Sequence, residues 1–276
     1  MDEGRRPGNV GASSLLSDIA FGAKTASRNW TLIAPGVVLG VIVGGAAVNA
    51  LGLDLRGLIT GPRSTTFPFS SPPNLQNISL FLLIVLISLL LTIIVNAGVY
   101  LGAGEAVRGR PVPLSTVAFG GATFFGTFLL FYLLVGVIAL VPEIIVVVLM
   151  AFSNGALAVV VVPLWWCLGA VASYGLLFVP ALIVFRGASA SSALIDSWDL
   201  AFGNVGKVLP VALSLVGIYA IMWLIEWPLQ GVPTVGVPVS IVVDIVFSLM
   251  FYVFQVVMIT KLFFDLKRSG ADVEPA

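Results

Sequence analysis

Six apolar runs alternate with polar stretches along the chain, at about 31–53, 78–101, 116–141, 163–185, 208–229 and 239–264. At about 1.5 Å per helical residue, each is long enough to cross the hydrocarbon core of a bilayer. Three of the intervening polar stretches carry a helical period of their own. Between Arg186 and Val205, the residues Ala190, Ala193, Leu194, Ser197, Trp198, Ala201 and Val205 recur at spacings of three and four, with Ser191, Ser192, Asp196 and Asp199 between them. Leu15, Leu16, Ile19, Ala20, Ala23 and Trp30 make a similar face before the first run, and Pro113 to Gly121 is a shorter version before the third. Such a segment is expected in the membrane interface, its apolar face in the acyl boundary. Each contains Ala-Phe-Gly, at Ala20-Phe21-Gly22, Ala118-Phe119-Gly120 and Ala201-Phe202-Gly203. Phe21, Phe119, Phe202 and Trp198 are therefore the expected interfacial side chains. The pattern predicts an all-α polytopic membrane protein: six transmembrane helices as three hairpins, each preceded by an inner interfacial amphipathic segment.

Residues 1–12 read as a polar tail, 13–268 as one membrane domain and 269–276 as a second tail. Arg5 and Arg6 are not followed closely by an apolar core, so the first span is expected to be retained rather than cleaved as a signal peptide. The loop from Asp54 to Asn77 is rich in proline and serine. Pro142-Glu143 is expected to end or kink the third helix. Beyond it, Ser153-Asn154-Gly155 separates two short apolar pieces within 144–162, which either extend the third and fourth helices or form a re-entrant hairpin. Charge argues against a seventh span there. With six spans and an inner N-terminus, eleven of the thirteen Lys and Arg lie inside, and only Arg56 and Arg63 outside. A seventh span would leave six inside and seven outside, against the positive-inside rule.

Composition agrees with the pattern. Hydrophobic residues are 59% and charged residues 9%, where soluble domains carry roughly a quarter charged. The formal net charge is zero, which offers no basic field for nucleic acid. Histidine is absent and Cys167 is the sole cysteine. The commonest metal ligand, the usual neutral-pH base and any intrachain disulfide are thereby removed. No catalytic, cofactor-binding or metal-binding motif is present, and no enzymatic activity is expected.

The polar residues within the runs are few. Glu143, Glu226 and Asp244 lie towards the outer side of the expected topology, and Asp244 is about 9 Å below Pro238 along its helix. Intramembrane acids are candidates for an ion or proton site; the alternative is pairing with Arg56 or Arg63. Gly36, Gly40 and Gly44 form a small-residue stripe suited to helix packing, within the molecule or across a homodimer. Asn96 and Gln255 are expected to hydrogen-bond across helices.

From Arg186 to Asn204 the sequence runs Arg-Gly, a small-residue spacer, Ala193-Leu194, Ser197-Trp198, Leu200 and Gly203-Asn204. With Arg108-Gly109 and Pro142, this resembles a group of prokaryotic six-span membrane proteins. The group includes the membrane domain that precedes the catalytic domain of some glycerophosphodiester phosphodiesterases. The resemblance implies a compact bundle of three hairpins in the cytoplasmic membrane, both termini inside. It carries no catalytic residue into this chain. The expected function is a non-enzymatic scaffold, lipid-organising protein or accessory subunit. Its partners would be the lipid bilayer and a membrane protein or a second copy of itself. The alternative is a small-solute or ion transporter using the outer acids.

Overall fold

The computed structural model describes residues 12–40, 75–152, 158–230 and 236–268. Among these residues there is no strand. Helix α1 (Ala12–Arg28) leads through a 3-10 turn (Trp30–Leu32) into helical residues 34–40. Then come α2 (Leu75–Val107), α3 (Leu114–Phe119) and a second 3-10 turn, Gly120–Phe124. The chain continues through α4 (Phe125–Phe152), α5 (Ala158–Gly175), α6 (Val179–Arg186), α7 (Ala190–Gly203), α8 (Val205–Gln230) and α9 (Gly236–Arg268). Five described helical stretches are long and apolar enough to cross a membrane: 79–107, 114–149, 160–186, 205–225 and 245–268. The chain is thus an all-α, multi-pass membrane protein. The first run lies mostly within 41–74, outside the described residues, as do Gly44, Arg56 and Arg63.

The helix through Pro142 neither ends nor breaks: α4 continues ten residues further, to Phe152, and α5 starts at Ala158. Proline removes one hydrogen bond from a helix, a loss that membrane helices tolerate by local adjustment.

The core is concentrated at one end of the bundle, called here the closed end. The C-terminal parts of α2 and α9 pack on each other and on α6. Phe128, Phe178, Leu182, Ile183, Phe263 and Leu266 are buried there. Towards the other end the helices expose their leucines, isoleucines and valines, as in Leu82 to Leu91 of α2 and Val137 to Val148 of α4. Such surfaces suit lipid, which is as apolar as they are.

Two tight turns bring the chain back at the closed end. Gly109 and Gly187 follow the last residues of α2 and α6 at φ 75° and 68°. Only glycine enters that left-handed region without steric cost. After Gly187, Ser189 caps α7, its hydroxyl accepting from the Ser192 N–H.

Candidate functional site

The three Ala-Phe-Gly segments all sit at the closed end, and each packs on a different long helix. Helix α3 and the turn after it lie on α2; α7 lies on α5 and α6; α1 lies on α9. The first two neighbours are adjacent in sequence. The third joins the two ends of the chain.

Each segment docks by a different chemistry. At α2 the means is small residues. A Cβ on Gly121 would collide with the Ile94 carbonyl, and one on Gly98 with the Val117 carbonyl. The two backbones therefore touch directly, an approach that no larger residue allows.

At α5 and α6 the means is hydrogen bonding to a helix break. Buried Ser197 of α7 donates to the Gly175 carbonyl at 2.7 Å and accepts from the Phe178 N–H at 3.0 Å. These are backbone groups freed where α5 stops and α6 begins. The Tyr174 hydroxyl donates back to the Ala201 carbonyl of α7 at 3.0 Å. Trp198 lies where a Gly175 side chain would be, with the Phe202 ring 4.8 Å away.

At α9 the means is charge. Lys261 donates to Asp18 of α1 at 2.7 Å and to Asp265 at 2.9 Å. Its ammonium also stands 5.8 Å from the centre of the Phe21 ring. Gly22 admits Met258 and Phe254 beside it.

Docking leaves at least one large apolar side chain of each segment facing outward. Leu16 is 66% exposed, Phe119 76% and Ile195 65%. Phe21 is half-buried, while Trp198 and Phe202 stay about two-fifths exposed.

Inside the bundle, Asn96 of α2 donates to the Tyr132 hydroxyl of α4 at 2.8 Å and accepts from the Tyr252 hydroxyl of α9. One amide thus ties three helices together. Below it, Arg108 lies 4.8 Å over the Phe264 ring and Arg186 lies 6.0 Å from that of Phe263. Phe185 stacks on Phe263 and meets Phe264 at a tilt.

The candidate acids are not brought together by any described contact. Glu143 is exposed on α4. Glu226 and Asp244 occupy helical positions of α8 and α9, with side chains outside the described set. Gly36 faces Leu249 of α9, whereas Gly40 meets nothing within 4 Å. Gln255 makes no hydrogen bond to another described residue and faces a groove instead. Among the described residues no group of three or more Cys, Asp or Glu could hold a metal ion. The tyrosine partners of Asn96 and the role of Ser197 were not foreseen in the sequence. Ser197 did carry a signal, as a hydroxyl on the apolar side of its helix.

No family model, curated protein or solved structure matches the chain. The resemblance to the membrane domain of glycerophosphodiester phosphodiesterases therefore rests on the residues quoted above.

Proposed function

We propose that the protein is a non-enzymatic scaffold of a prokaryotic cytoplasmic membrane, organising lipid at the inner face through a collar of three interfacial segments. The observation that carries this reading is the common placement of those segments. All three dock at the closed end, and each keeps a large apolar side chain exposed. In an interface, Leu16, Phe119 and Ile195 would reach into the acyl boundary while the docked faces grip the spans.

The reading includes six spans as three hairpins, with both termini inside. Two facts support it. Leu32 packs against Gly102 at the closed end, and α2 begins at Leu75, 27 residues before Gly102 in an unbroken helix. That is about 40 Å from the closed end, which supports counting a sixth span ahead of α2. Secondly, all the described Lys and Arg residues, from Lys24 to Arg268, cluster at the closed end. The positive-inside rule puts that end in the cytoplasm.

The test is lipid immobilisation in reconstituted vesicles of phosphatidylcholine and phosphatidylglycerol, read by electron spin resonance of chain-labelled phospholipid. The triple variant Leu16→Ser, Phe119→Ser, Ile195→Ser is expected to fold and to restrict measurably less lipid than the wild type. An unchanged restricted fraction contradicts the collar's role.

A further inference from the structure

Helix α8 packs on α9 and α7, and a groove of about 900 Å³ separates it from α5. Its walls include Trp165, Trp166 and Gly169 on one side and Val205, Leu209 and Val216 on the other. Those α8 residues span roughly 17 Å, close to the thickness of one leaflet's hydrocarbon. The groove is partly open to the surface that the spans present to lipid.

Two features define what it would hold. Among the described residues, no Lys, Arg, Asp or Glu lines it, so a phosphate or carboxylate entering it would meet no counter-charge. Gln255 of α9 lines it without a hydrogen bond to another described residue. Its position is six residues before Lys261, about 9 Å deeper along the helix. Water is scarce at that depth, and an unmet amide there is costly. An amide offers both donors and an acceptor. The matching guest has an apolar body and an uncharged head carrying a carbonyl and a hydroxyl.

We infer that this groove binds a neutral lipid of the diacylglycerol class, its chains between α5 and α8 and its ester and hydroxyl groups on Gln255. Lacking a phosphate, such a lipid can sink below the level of Lys261, where a phospholipid head cannot follow. The inference rests on the membrane-scaffold reading and names one ligand for it.

Trp165 provides the readout. The protein is reconstituted in dioleoylphosphatidylcholine vesicles doped with chain-brominated diacylglycerol or, separately, with chain-brominated phosphatidylcholine. Bromine quenches tryptophan on contact; Trp166 is 73% exposed and also meets bulk lipid, so the quenching lost in Trp165→Phe is the one that reports the groove. Half-quenching is expected at about one-fifth the mole fraction for diacylglycerol, the size of one net hydrogen bond. Gln255→Leu should abolish that preference. Gly169→Leu, where a Cβ meets nothing within 4 Å, should fold and reduce quenching by both lipids. Equal mole fractions for the two lipids in the wild type, or a preference that survives Gln255→Leu, would overturn the inference. Loss of this preference with normal spin-label restriction sinks the groove and leaves the collar. The reverse result sinks the collar and leaves the groove.

Discussion

Ser197 is the residue on which the docking of α7 turns. It is fully buried and joins two backbone groups across the break between α5 and α6. Ser197→Ala leaves the Gly175 carbonyl and the Phe178 N–H without that partner, and is expected to cost about 1–3 kcal/mol. Thermal unfolding in detergent would register this as a lower Tm; an unchanged Tm would show that the hydroxyl contributes nothing. Asn96 differs, because its partners are themselves side chains. Asn96→Leu unpairs two tyrosine hydroxyls, at a cost of roughly 1–2 kcal/mol, near the upper range for bonds between membrane helices. The same unfolding assay applies, and Tyr132→Phe should lose only part of that amount. Glycine offers the sharpest contrast at this scale. Gly121→Leu would drive a side chain into the backbone of α2 and should prevent folding. Gly169→Leu points into open space and should be tolerated.

At the scale of elements, α1 shows how far periodicity reaches. The sequence predicted a face of Leu15, Leu16, Ile19, Ala20, Ala23 and Trp30. In the structure Leu15, Ile19, Gly22 and Ala26 turn towards the core, while Leu16, Ala20 and Ala23 are exposed. The helix has two apolar sides. Periodicity separates apolar from polar positions, but it cannot separate packing on protein from packing on lipid, because both are apolar. The length of α4 was obscured for a related reason, since Pro142 has a penalty in a soluble helix that a membrane helix can absorb. Asn96 stood out in the sequence as the polar residue of its run, yet its tyrosine partners are amphipathic and gave no comparable signal. The groove beside Gln255 was invisible, because it depends on how far α5 and α8 splay. The clasp between α1 and α9 is the testable element here. Lys261 keeps Asp265 when Asp18 is lost, so Asp18→Asn should release α1 without leaving Lys261 unpaired. Faster proteolysis within α1, with the spans intact, is the expected outcome. Unchanged cleavage would show that Leu15, Ile19 and Gly22 hold the helix by themselves.

At the scale of the molecule, the helices that receive the three docking segments form the centre. The C-terminal parts of α2 and α9 meet α6 there, and the three Ala-Phe-Gly segments surround them. Closure depends on α1 reaching α9 across 243 positions of sequence, the separation of Asp18 and Lys261. The tie from Asn96 to Tyr132 and Tyr252 runs across the bundle above a tightly packed end. The depth of the collar's outward residues in the bilayer is the decisive measurement. Nitroxide labels at Leu16→Cys, Phe119→Cys and Ile195→Cys, each in a Cys167→Ser background, would be read in vesicles by their accessibility to oxygen and to a water-soluble nickel chelate. All three should report one shared depth, at the boundary of headgroups and acyl chains on the cytoplasmic side. Labels that report bulk water, or that divide between the two leaflets, would contradict it.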